Sequence, residues 1–106
     1  MTVRYKNAKA DLTTTNATAV LTPANATTAV IKSILVSEDS GNADTITLTI
    51  TSGSDVFSLF KVKAVGANTT VELLTAPLVL AESEILKATA ATANRLHVVV
   101  SFMEIS

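Results

Sequence analysis

Cysteine and tryptophan are both absent from this 106-residue chain. Without thiols no disulfide braces the fold, and the sulfur ligands of the commonest structural zinc sites are missing. Histidine occurs once, at His97, so a single chain cannot assemble a histidine-based metal cluster. The three glycines, at positions 41, 53 and 66, lie too far apart to form a phosphate-cradling loop. No serine sits in a Gly-x-Ser-x-Gly elbow, and Gly53-Ser54-Asp55 reads as a turn. Catalysis needs a positioned acid–base or nucleophilic set. One histidine inside an apolar, β-branched run reads instead as an outward-facing or structural hydrogen-bonding residue. The chain is expected not to be an enzyme, with no catalytic residues, no cofactor and no metal.

Charge is sparse too. Eight Lys and Arg against nine Asp and Glu leave a net −1, with a pI near 5.7. General electrostatic attraction to nucleic acid is therefore not expected. Arg4, Lys6 and Lys9 give the beginning of the chain a mild basic bias, alternating with polar and small residues as a solvated or partner-facing arm does. No stretch approaches the roughly 18 apolar residues of a membrane span, and Pro77 interrupts the run from Leu73 to Ala81. No apolar segment of the secretory kind follows the early cations, so the protein is expected to stay in the cytosol until it is used. The Asn-x-Thr triplets at Asn16, Asn25 and Asn68 then have no route to glycosylation. The acidic loop from Glu38 to Asp44 lacks calcium-loop spacing and reads as Asx-turn chemistry.

What the chain does have is threonine, alanine and valine. Thr45-Ile46-Thr47-Leu48-Thr49-Ile50-Thr51 has period two, with apolar residues on one face and threonines on the other. No helix keeps those three apolar residues on one stripe, so this is a half-buried strand. The turn residues Ser52 to Asp55 lead into Val56–Val65, making a hairpin in which Val56, Phe60 and Val62 share a face opposite Lys61 and Lys63. Ala29 to Val36 is apolar on both faces, which predicts a central strand covered on two sides. Ala17–Thr22, Thr69–Leu74 and Leu78–Leu80 are shorter strands punctuated by Pro23 and Pro77. Leu96 to Ile105 sets Leu96, Val98, Val100 and Phe102 on one face and predicts a core strand. Ala81 to Arg95 is rich in helix formers, yet Thr89 and Thr92 interrupt it and its apolar stripe is mostly alanine. A strand over Glu84–Thr89 followed by a loop is favoured there over a helix.

About eight short strands at roughly ten-residue spacing predict an all-β fold, a single β-sandwich of immunoglobulin-like or jelly-roll kind. Residues 1–14 are read as an extended arm or edge strand, and residues 15–106 as the sandwich. A domain this small has a thin stability margin, and with disulfides and metal excluded, association is the supplement left. The uncharged threonine face, read as belonging to an edge strand, and a 48% hydrophobic content in so small a chain point the same way. The candidate protein-interface residues are Arg4, Tyr5, Lys6, Lys9, Thr45, Thr47 and Thr49.

Two stretches carry a resemblance: AVIKSILVSEDSGNADTITLTI (Ala29–Ile50) and GANTTVELLTAPLVLAESEILKATAATANRLHVVVSFMEI (Gly66–Ile105). With the Pro23-Ala24-Asn25 turn and threonine run that lead into the first, they make up about two thirds of the chain, and their cadence is similar to that of small β-sandwich virion structural proteins of tailed bacteriophages. Where that group often has glycine after the acidic residue this chain has Ser83, so that turn is expected to differ in type. The resemblance implies a capsid decoration or cement protein, located in the virion, that self-associates and docks on major capsid or neck proteins. A head–tail collar, neck, or fibre or tail module is the alternative it also implies. A glycan- or receptor-binding module is less favoured, because sugar stacking uses exposed aromatics and the chain has one tyrosine and no tryptophan.

Overall fold

The computed structural model describes all 106 residues and contains nine β-strands and no helix. They are β1 (Val3–Asp11), β2 (Thr18–Leu21), β3 (Thr28–Glu38), β4 (Asp44–Ser52), β5 (Asp55–Val65), β6 (Thr70–Glu72), β7 (Leu78–Leu80), β8 (Glu84–Ala90) and β9 (Leu96–Ile105). Two antiparallel sheets pack face to face. The first has the order β1-β9-β3, with β6 and β7 end to end along the far edge of β3; the second has the order β2-β8-β4-β5. The alanine-rich segment is strand β8 followed by a turn, as its threonines predict.

The topology follows from one relationship. Val3 lies opposite Ile105, Thr18 opposite Ala88, Val36 opposite Val71 and Thr45 opposite Ala64. The midpoint of each pair falls between Gly53 and Asp55, so the chain is one long hairpin folded about its β4–β5 turn. Gly53 has φ of +62° and Ser54 is not left-handed, the arrangement of a type II′ turn with glycine at its first central position. Lateral pairing of β3 with β9 and of β4 with β8 then rolls the hairpin into two sheets. With β6 and β7 counted as one strand broken at Pro77, this is the eight-strand order of a jelly roll.

Eighteen buried apolar residues fill the space between the sheets, among them Ile46, Leu48 and Ile50 of β4, Leu86 and Ala88 of β8, and Val98, Val100 and Phe102 of β9. Each fully buried Leu, Ile or Val contributes roughly 1.5–3 kcal/mol of transfer free energy. The accessible surface is 5673 Å², against about 5,600 Å² expected for a compact monomer of 11.0 kDa. Residues 3–11 are accordingly not a projecting arm; they form β1, paired with β9 along its whole length.

Three expectations need correction, and bulges account for two of them. In β3 a bulge between Ile31 and Ser33 turns both Ile31 and Ile34 into the core, although they stand an odd three positions apart. The segment is apolar at both parities partly for that reason, and only one of its faces is covered. In β5 two extra residues are accommodated opposite Ile46–Thr49, so Phe60 pairs with Leu48 while Val56 pairs with Thr51 on the opposite face. Val62, at one bulge, has φ of +53° and donates its N–H to Thr47 Oγ1 at 3.1 Å. Finally, β4 is not an edge strand: β8 and β5 flank it, so its backbone groups are already paired.

Candidate functional site

The predicted interface residues fall into two groups that the fold separates. Thr45, Thr47 and Thr49 lie half-buried on the outer face of the second sheet. Arg4, Tyr5, Lys6 and Lys9 lie on β1, at the edge of the first sheet. The core joins the inner faces of the sheets, so their outer faces look in opposite directions and one flat partner cannot cover both. Thr47 is moreover engaged with the β5 bulge.

Around Tyr5 the register builds a larger feature. Tyr5 is opposite Met103, Met103 is opposite Val30, and Val30 is opposite Val79, a row running across β1, β9, β3 and β7 on the outer face. Tyr5 is 81% exposed and Val79 58%. Beside this row run Val3 and Ile105 on one flank, and Val99 and Leu35 further along. Sequence reasoning missed Val30, Leu35, Val79, Val99, Met103 and Ile105 as surface residues. The signal was present, since β9 is apolar at both parities, but a two-layer sandwich buries only one face of each sheet. The second apolar face of β9 points outward and is only half-buried.

A shallow groove of about 400 Å³ borders this face, lined by Tyr5, Lys6, Asn7, Lys32, Ser101 and Phe102. Lys6 Nζ is paired with Glu104 at 3.2 Å. A second hollow of about 370 Å³ lies at one end of the sandwich, between Ala43–Thr45, Ala64–Gly66 and the β8–β9 turn. There Asp44 accepts the Thr92 N–H at 3.0 Å, and Arg95 donates to the Ala43 carbonyl at 3.1 Å.

Titratable groups are arranged to hold loops. His97 lies between two carboxylates, with Nε2 3.2 Å from Asp11 and Nδ1 3.7 Å from Asp39. Ser37 is its neighbour in register on β3. Both ring nitrogens face carboxylates, however, so the constellation ties β1 to the β3–β4 loop and gives the Ser37 hydroxyl no base. Glu38 is 1% exposed and pins two loops together. Its carboxylate accepts hydrogen bonds from the Ser40 hydroxyl and from the N–H groups of Ser40, Gly41 and Asn68. The Ser40 hydroxyl is the largest influence; together with the three N–H donors it overcomes desolvation and lowers the pKa to about 2. Glu72 likewise accepts from the Ser33 hydroxyl and from the Ile34 and Leu74 N–H groups. Desolvation there favours the neutral acid, but these donors outweigh it and the pKa is lowered. No cluster of three or more His, Asp or Glu side chains is placed to hold a metal ion.

Comparison with protein-family models, curated proteins and solved structures finds no match to this chain.

Proposed function

We propose that this protein is a non-enzymatic structural component of a tailed-phage virion, a capsid decoration or cement protein that self-associates and docks on the particle. The observation that carries this reading is the open apolar face of the first sheet, the row Tyr5–Met103–Val30–Val79 with Ile105 and Val3 beside it. Exposed β-surface of this kind in a small domain is favourable when a neighbour covers it. The resemblance of Ala29–Ile50 and Gly66–Ile105 to phage virion proteins supplies the class of neighbour: the major capsid protein or the neck proteins. A jelly roll is compatible with that role and with many others, so the fold alone does not select it.

Mass spectrometry of purified particles tests the proposal, with peptides of this chain expected at stoichiometric level. Their absence sinks it. The double substitution Val79→Lys and Met103→Lys changes one exposed and one half-buried side chain of the outer face, and should leave the fold intact while removing the protein from particles. Retention of that variant at normal copy number would show that another surface does the docking.

A further inference from the structure

The free edge of β1 carries a specific self-pairing pattern. Thr2 and Ser106 exchange reciprocal N–H···O bonds at 2.9 Å, and the Leu12 N–H donates to the Leu96 carbonyl at 3.0 Å. An antiparallel ladder alternates, so the even-numbered residues of β1 turn their N–H and C=O groups towards β9. Val3, Tyr5, Asn7 and Lys9 turn theirs outwards, where no strand lies. The edge is nine residues long, unbulged and free of proline. Edges of this kind are pairing templates unless something blunts them. Lysines commonly do so, but the Lys6 ammonium is drawn back onto Glu104 of the neighbouring strand.

We infer that β1 pairs antiparallel with β1 of a second copy about a two-fold axis at Asn7, joining the two five-stranded sheets into one. Asn7 is the midpoint of Val3–Asp11, so this register alone overlaps the whole strand. It sets Val3 opposite Asp11, Arg4 opposite Ala10, Tyr5 opposite Lys9 and Lys6 opposite Ala8 of the other copy. No cation stands directly opposite a cation. Arg4 and Lys6 each face an alanine, and the Lys9 ammonium comes beside the Tyr5 ring, a favourable cation–π placement. Moving the axis to Lys6 sets Lys6 against itself, and moving it to Tyr5 sets Arg4 against Lys6. Moving it to Ala8 leaves Val3 and Arg4 without partner strand. Pairing about Asn7 also continues the apolar row that begins at Tyr5 into Lys9, Val99 and Leu35 of the other copy. The inference rests on the self-association in the proposed function and not on the virion address.

The absence of native cysteine makes the test clean. Sedimentation of the full chain is expected to give twice the 11.0 kDa mass at high concentration. Asn7→Cys should cross-link to itself on mild oxidation, because directly opposed residues stand about 5.5 Å apart at Cα. Lys9→Cys should not, since it faces Tyr5. Tyr5→Lys changes only an exposed side chain and should return the mass to 11.0 kDa by opposing Lys9. Adding Lys9→Glu to it should restore the dimer. A monomer at every concentration overturns the inference, as does equal cross-linking of Asn7→Cys and Lys9→Cys. Either result leaves detection in particles unaffected, so the two readings fail separately.

Discussion

The Glu72 carboxylate accepts the Ile34 N–H at 2.8 Å, at the stretch of β3 that lies between its pairings with β6 and β7. A side chain thus supplies an acceptor that the broken strand does not. Glu72→Ala leaves that N–H and the Ser33 hydroxyl without their partner, and is expected to cost about 1 kcal/mol, the low end of the range because the site is reached by water. Glu72→Gln keeps an acceptor oxygen and should cost less than half as much. Urea unfolding of the two variants measures the difference; equal losses would show that the charge and not the acceptor geometry is what β3 needs.

Acid should loosen the loops around Glu38 first. Its pKa is about 2 in the folded chain against an ordinary 4.5. A depressed folded-state value contributes stability that is complete above the unfolded pKa and is lost as pH falls through the folded one. Stability is therefore expected to be flat with respect to this group above about pH 5.5 and to decline between about 4.5 and 2. Glu72, also lowered, adds in the same direction. Denaturant midpoints measured across this range should show a shallower acid slope in Glu38→Gln. An unchanged slope would mean that Glu38 does not hold the Ser40–Gly41 and Asn68 loops as described.

The β7–β8 turn places Ser83 at φ of +71°, although serine has a Cβ. Serine there occupies the left-handed conformation that glycine takes freely. Ser83→Gly removes a strain of about 1–2 kcal/mol and adds back part of it as unfolded-state entropy. A net gain of about 0.5–1 kcal/mol is expected, seen as a rise of a few degrees in thermal midpoint. A lower midpoint would mean that the serine side chain holds the turn.

Ala88 is fully buried on the inner face of β8, opposite Leu48 and Thr18 on its neighbours. Ala88→Leu should destabilise by about 1–3 kcal/mol through overpacking, whereas Thr89→Leu on the outer face should change little. Thermal melts of both separate the faces, and equal effects would contradict the alternation assigned to β8.

The legible part of the fold is the part with local period. Ile46, Leu48 and Ile50 alternate with threonines, and β4 is where that pattern places it. The alanines of β8 resemble helix because a small inner-face residue and a helix former are the same amino acid. Bulges defeat the reading of β3 and β5, since one extra residue exchanges the faces and nothing local to Lys32 or Val62 announces it. The site was half visible. Tyr5 and the early cations stood out by composition, but their meeting with Met103, Val30 and Val79 depends on pairing across most of the chain length. Which strands end at an edge is likewise a long-range property, and nothing local to the β4 threonines shows that β8 and β5 flank them.

The nested hairpin also fixes an order of events during synthesis. β9 lies between β1 and β3, inside the first sheet, yet of the nine strands it is the last to be synthesised. Until it is, β1 and β3 have no ladder between them, and the apolar residues of both must wait in the nascent chain. The β4–β5 hairpin, which needs only its own turn, is free to form long before. A stall after β8 would leave β1 with no strand to pair with and strand edges exposed to neighbouring chains.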